Sequence, residues 1–229
     1  MASIKMGNIV VDMRGKISGN VYSKNKGGAY SRVRVVPTNP NSSYQAAVRA
    51  NFTTNSQAWR GLTEAERTSW RQAVGNFPRI NRVGDAHNLS GNALYQSLNK
   101  NLDDVDLGPI SSAPAPASVT AVAVSTAVAD TTLQTLVITL SAVVPANTSL
   151  KIFATDTLSA GVESPGTKLR QIQAAGNGDA AALSLTTNYL AKYGAIGAAG
   201  SKIFYKIVPV NETTGQLGAE ISDSIIITA

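Results

Sequence analysis

Residues 42–78 read SSYQAAVRANFTTNSQAWRGLTEAERTSWRQAVGNFP, and they carry the clearest local signals in the chain. Ser42 begins a helical pattern with capping-box spacing, and Gly61 ends it. Thr63 and Glu66 then form a second capping box, and the closing proline ends the second helix. Two capped helices around one short turn predict an αα-hairpin.

The apolar residues of these helices predict a small helical core. Tyr44, Val48 and Phe52 recur every four residues, and Trp59 continues roughly the same face. Trp70 is the first residue on the predicted buried side of the second helix. Because the helices are short, burial must hold them, and we expect both tryptophans to pack between them rather than to stack on nucleic-acid bases.

Residues 1–41 predict an extended arm that contains a β-hairpin. Ile17–Ser23 and Ala29–Val36 flank a Lys-Asn-Lys-Gly-Gly segment that tolerates positive φ. An isolated hairpin is marginal in water, so we expect this one to lie on another protein surface. The interface residues predicted for the arm are Tyr22, Lys24, Lys26, Tyr30, Arg32, Val33, Arg34 and Val35.

Residues 78–117 predict a third helix followed by a linker. Ser90 can cap a helix through Leu98 that stops near Asn101, because the aspartates that follow have the wrong sign for a helix C-terminus. Prolines interleaved with Ser and Ala then indicate a stiff linker. The predicted domains are the arm (1–41), a small helical domain (42–108), the Pro/Ala linker (109–117) and a β domain (118–229).

The C-terminal half has the pattern of an all-β domain. Its predicted strands are Val119–Val124, Thr135–Leu140, Leu150–Ala154, Lys168–Gln173, Leu183–Leu185, Ile203–Val210 and Ile221–Ile227, with a helical turn at Asn188–Tyr193. Seven short strands in about 110 residues are typical of an immunoglobulin-like or fibronectin-like sandwich. The predicted fold is therefore multidomain α+β: an arm with a hairpin, a helical hairpin, then a β-sandwich.

The net charge also differs between the N-terminal and C-terminal halves of the chain. Residues 1–101 contain 14 Lys and Arg against four acidic residues, a net charge of +10, whereas residues 102–229 have a net charge of −4. This asymmetry predicts that the first half binds an acidic partner. The alternative is that its basic face is simply exposed to solvent. No apolar run approaches the length of a membrane span, and no secretory signal is visible, so we expect assembly in the cytoplasm.

Signals of enzymatic chemistry are weak. The only histidine, His87, lies in a loop-like context without a second histidine or a serine elbow, and there is no cysteine. Asp103, Asp104 and Asp106 lack the glycine turn and the distal acid of a calcium loop, so a solvated segment is favoured. We predict a protein without catalytic residues, metal or cofactor.

Several motifs of residues 15–110 match those of a known type of protein. They are Gly15-Lys-Ile-Ser-Gly19, Ser23-Lys-Asn-Lys-Gly-Gly-Ala-Tyr30, Val36-Pro-Thr-Asn-Pro40, Gln45-Ala-Ala-Val-Arg49, Trp59-Arg-Gly-Leu-Thr63, Trp70 and Leu89-Ser-Gly-Asn-Ala-Leu-Tyr95. In these motifs the chain resembles a virion structural protein of tailed bacteriophages, of the auxiliary or decoration type. The resemblance implies N-terminal arms that lace subunits together and an immunoglobulin-like domain displayed outward.

Three functions follow as hypotheses. The first is a capsid auxiliary or decoration protein in the virion, assembled in the host bacterial cytoplasm, whose partners are the major capsid protein, other virion proteins and further copies of itself. The second is a structural protein of the tail or of the head–tail connector. The third, of another class, is a DNA-binding or DNA-compacting protein; it is less favoured because the basic residues are dispersed over several elements.

Overall fold

A computed structural model describes residues 2–229, and its contacts divide the mixed α+β chain into two compact units. The N-terminal unit comprises the residues up to Ser97 together with Ser111–Ala115. The C-terminal unit comprises Leu98–Ile110 and Pro116–Ala229. The residues of the predicted linker are therefore shared between the two units.

The predicted hairpin is present, within a larger sheet. The strands are β1 (Ala2–Ile4), β2 (Gly15–Ile17), β3 (Asn20–Asn25) and β4 (Gly28–Val33), in the antiparallel order β1-β4-β3-β2. Asn25 pairs with Gly28, so Lys26 and Gly27 make the two-residue turn. Gly28 has φ +105°, a conformation that glycine adopts without strain. Strand β1 was not predicted. The predicted strand Ile17–Ser23 is wrong at its start, because Ile17 belongs to β2 and pairs with Asn20 across a turn at residues 18–19. The second predicted strand ends at Val33 and not at Val36.

Three helices follow, and their predicted caps are confirmed. They are α1 (Ser43–Gly61), α2 (Glu64–Ala73) and α3 (Gly91–Asp103), with a 3₁₀ turn at Val74–Asn76. Between α2 and α3 lie two short strands, β5 (Arg79–Ile80) and β6 (Ala86–His87). The Ser42 hydroxyl accepts from the backbone N–H of Gln45. The Glu66 carboxylate accepts from the backbone N–H of Thr63 at 2.7 Å, and the Thr63 hydroxyl accepts from the N–H of Glu66, which completes the capping box.

The helical core centres on a residue that was not among the predicted core residues. Tyr95 of α3 is 1% exposed, and its ring lies 5.3 Å from that of Trp59 and 5.2 Å, edge to face, from that of Trp70. Trp70 is fully buried, and its indole N–H donates to the Ser111 carbonyl at 2.7 Å. The tryptophans therefore meet on α3 instead of packing only between α1 and α2.

The predicted core positions on the first half of α1 are wrong. Tyr44 is 62%, Val48 39% and Phe52 61% exposed. The reason is length: α1 has 19 residues and spans about 28 Å, whereas the 10 residues of α2 span about 15 Å. The contacts of α1 with α2 and α3 lie at its C-terminal end, at Ser56, Trp59 and Arg60.

The C-terminal unit has one seven-stranded sheet, folded into a sandwich-like or barrel-like arrangement around an apolar core. Its strands are β7 (Val124–Asp130), β8 (Thr135–Leu140), β9 (Thr148–Ala154), β10 (Arg170–Ala175), β11 (Ala182–Ser184), β12 (Lys202–Asn211) and β13 (Ile221–Thr228), with α4 (Thr186–Tyr193). The order is β10-β9-β12-β13-β7-β8-β11. A parallel pairing of Ile227 with Ala129 joins the last strand to the first.

The first strand of this unit was predicted too early, at Val119–Val124. In the structure Asp130 pairs with Thr135 across a tight turn, and β8 begins at Thr135. An antiparallel partner joined by so short a turn must consist of the residues just before it. Local alternation cannot show this, because the turn and not the pattern sets the register.

Two further predictions on residues 101–117 need correction. Helix α3 continues to Asp103, past the predicted end near Asn101. Asp104 forms ion pairs with Lys100 and Lys151, which offsets the unfavourable sign of acid at this end. The middle of the predicted linker is also anchored, since the Ala113 N–H donates to the Ser69 hydroxyl at 3.2 Å.

Candidate interaction surface

None of the first 53 described residues is buried. Along the chain, the first buried residue is Asn55, at 2% exposure. We call residues 2–54 the N-terminal surface. Its exposed apolar residues are Ile9, Val10, Val11, Ile17, Val33, Val35, Val36, Tyr44, Val48 and Phe52. Apolar exposure on this scale is typical of surfaces that bind another molecule.

The strand register gives the four-stranded sheet two unlike faces. Side chains of directly paired residues lie on the same face, and neighbours along a strand alternate. Ile17 pairs with Asn20, and Asn20 with Val33, so one face carries Ile17, Tyr22 and Val33. Lys16 pairs with Val21, which pairs with Arg32, so the opposite face is basic.

The register distributes the predicted arm residues over both faces. Tyr22, Lys24 and Val33 share the more apolar face, whereas Tyr30 and Arg32 lie on the basic one. Lys26 occupies the turn, and Arg34 and Val35 follow the end of β4. Both tyrosines are half-buried and the other six residues are exposed. The arm therefore does not present the eight residues as a single patch.

The cations of this sheet are not neutralised by any described residue. Among residues 2–229, no ion pair includes any of five basic side chains: Lys16, Lys24, Lys26, Arg32 and Arg34. Arg49 of α1 also has no ion pair there, and its guanidinium donates to the neutral side-chain carbonyl of Asn39 at 2.7 Å. The strands thus offer a positive charge that an acidic partner can compensate.

A short ribbon holds the sheet to the rest of the N-terminal unit. It consists of strands β5 and β6, the second of which contains His87, a residue predicted to lie in a loop. The Asn81 amide donates to the Gly27 carbonyl at 2.7 Å, and Lys5 pairs with Asp85 at 3.0 Å. The Lys5 hydrogen bond holds the pKa of Asp85 below its usual value. The pair is solvent-exposed, so it adds little stability.

Helix α1 adds an apolar stripe whose residues were predicted to lie in the core. Val48 and Phe52 lie one turn apart on one helical face, and that face continues into the buried part of the helix. The signal that could have identified the stripe is the difference in length between α1 and α2, both of which are bounded by visible caps. The stripe and the basic sheet belong to the same N-terminal surface.

The C-terminal unit has a groove of about 420 Å³ beside β7 and β13. The two strands pair only at Ile227–Ala129 and Thr228–Asp130, so their other ends are free to diverge. Hydroxyl side chains of Ser125 and Ser222 line the groove, together with the Asp223 carboxylate. Such a lining offers hydrogen bonds but no basic residue.

The described residues offer no candidate metal site and no membrane-spanning helix. Within residues 2–229, no group of three or more His, Cys, Asp or Glu side chains is placed to hold a metal ion. None of the helices described there combines the length and the hydrophobicity needed to cross a bilayer. No family model matches the sequence, and neither a curated protein nor a solved structure matches the chain.

Proposed function

We propose that this chain is a non-enzymatic virion structural protein of a tailed bacteriophage, a capsid auxiliary or decoration protein that docks through its N-terminal surface. The observation that carries the proposal is the absence of any buried residue between positions 2 and 54. A sheet of short strands and the first turns of a helix gain little stability without apolar cover. Docking on a partner would supply that cover.

Charge favours an acidic protein as the partner. The first 101 residues have a net charge of +10, and the sheet cations have no intramolecular ion pair among the described residues. Contact with an acidic capsid surface would compensate these charges, and docking would also bury the apolar stripe at Val48 and Phe52. On a particle, repeated copies would multiply the modest affinity of each contact.

The C-terminal unit fits the displayed part of such a protein. We infer an immunoglobulin-like sandwich in which β7, β8 and β11 form one layer and β10, β9, β12 and β13 the other, with the core between them. The parallel pairing of β13 with β7 links the two layers. The unit has its own buried core and a net negative charge, so it has no need of the surface on which the first unit docks.

Two other functions would use the same residues. A tail or head–tail connector protein would use the same docking surface, but in an assembly of different symmetry. A DNA-compacting protein would place phosphates against Lys16 and Arg32 instead of carboxylates. DNA affinity measured at several salt concentrations separates the last hypothesis from the first two: a steep fall with salt at physiological concentrations would favour DNA binding and count against docking on protein.

The direct test is incorporation into particles. A full-length chain with a C-terminal label, imaged in intact particles, should mark the capsid surface; label confined to the tail or neck would move the protein there. A variant lacking residues 2–40 should be absent from particles while its C-terminal unit stays folded by circular dichroism. Normal incorporation of this variant would refute docking through the arm.

A further inference from the structure

A buried amine lies where the C-terminal end of α3 meets the sheet of the C-terminal unit. Lys151 of β9 is 4% exposed, which is rare for lysine. Its Nζ donates to Oδ1 of Asn101 at 2.9 Å and to Oδ2 of Asp104 at 2.9 Å. Lysine, asparagine and aspartate therefore meet at one nitrogen atom.

The Asn101 side chain is held with its carbonyl toward this amine. Its Nδ2 donates to the Gly215 carbonyl at 2.8 Å, which leaves Oδ1 to accept from Lys151. Because a C=O bond is about 1.23 Å long, the carbonyl carbon lies no more than about 4.1 Å from Nζ. That separation is within about 1 Å of the distance at which bound groups react.

The surroundings favour the neutral amine, which is the nucleophilic form. Burial lowers the pKa of Lys151 to about 8, against the opposing effect of the Asp103 carboxylate. A larger fraction of this amine is therefore unprotonated near neutral pH than of an exposed lysine. The Asp104 carboxylate, which also pairs with Lys100, can accept the proton that the amine gives up.

We propose that Lys151 and Asn101 form an intramolecular amide crosslink, with Asp104 as the catalytic residue that moves the proton. Nζ attacks the side-chain carbonyl carbon of Asn101, and a C–N bond forms. Asp104 takes a proton from Nζ and returns it to the Asn101 amide nitrogen, whose bond to carbon then breaks. Ammonia leaves, nothing is oxidised or reduced, and no further reactant is required.

The crosslink would join α3 covalently to β9. An ion pair between Lys151 and Asp104 alone would satisfy the buried charge without Asn101, whereas the reaction also requires the amide carbonyl at hydrogen-bonding distance. The bond would close a loop from residue 101 to residue 151 and so limit the freedom of the unfolded chain, as a disulfide does. This inference does not depend on the docking proposal.

Intact-mass spectrometry of the full-length chain tests the crosslink. After incubation at pH 8–9, the expected mass is about 17 Da below that calculated from the sequence, because ammonia is lost. No Lys or Arg lies between positions 101 and 151, so trypsin should leave 101–168 as one peptide, uncut after Lys151. An unmodified mass together with normal cleavage after Lys151 would show an ordinary buried ion pair and overturn the proposal.

Matched variants assign the roles. Lys151→Met and Asn101→Ala should each have the full calculated mass, whereas Lys168→Met, which removes an exposed lysine, should still lose ammonia. Asp104→Asn should slow the loss at least 10-fold, and the wild-type rate should rise as the pH passes 8. Loss of ammonia from Asn101→Ala would place the modification elsewhere. The wild-type result is decisive even if a variant fails to fold.

Discussion

Replacing Trp70 with alanine is expected to lower the free energy of unfolding of the N-terminal unit by about 3–5 kcal/mol. The indole is fully buried, packs edge to face on Tyr95 and donates to the Ser111 carbonyl. The substitution leaves a cavity and removes the hydrogen-bond donor of the Ser111 carbonyl. Each change lowers the free energy of unfolding. Urea denaturation followed by the fluorescence of Trp59, which also contacts Tyr95, measures the change.

Trp70→Phe is the matched control. It keeps most of the ring packing on Tyr95 and removes the indole N–H, so we expect a loss of about 1–2 kcal/mol. If Trp70→Ala cost less than about 1 kcal/mol, the stability of this unit would not depend on the Trp59–Tyr95–Trp70 cluster. The assignment of the helical core would then be wrong.

The apolar stripe of α1 should matter for attachment and not for stability. The double variant Val48→Ser/Phe52→Ser changes two exposed positions, and serine, valine and phenylalanine have similar helix propensities. We expect the free energy of unfolding to change by less than about 1 kcal/mol. Binding to particles should fall at least about 10-fold, because two apolar anchors of the proposed interface are lost. Co-sedimentation with particles that lack the protein measures the binding.

The control for this variant is Leu133→Ser/Ile226→Ser in the C-terminal unit. These side chains are 71% and 61% exposed, similar to Phe52. The control should bind particles like the wild type. Loss of binding in both variants would mean that surface hydrophobicity alone drives the association, and normal binding of the Val48/Phe52 variant would exclude the stripe from the interface.

The sequence predicts the features that depend on near neighbours. The capping box at Thr63, the end of α1 at Gly61 and the hairpin turn are set within a few residues, and each is confirmed. Strand β8 spans Thr135–Leu140, the range that its β-branched run predicts. These features depend on backbone hydrogen bonds and turn geometry, which are local.

Features that depend on distant partners were missed. Period-four spacing identified the face of Phe52 but could not show that no element covers it. Tyr95 has no signal of its own, since its importance comes from two tryptophans far from it in the sequence. Strand alternation alone would place Lys151 on the outer face of the sheet. Its burial follows from contacts with Asn101 and Asp104, which lie about 50 residues away in the sequence.

Hydrogen exchange of residues 2–54, measured in the isolated chain and again on particles, tests docking through the N-terminal surface most directly. With no buried residue there, the isolated chain should exchange rapidly over this stretch, while β9 and β12 of the C-terminal unit are strongly protected. On particles, we expect slow exchange over 2–54 and no change in the C-terminal unit. Equal exchange of 2–54 in both states, with new protection confined to the C-terminal unit, would contradict it.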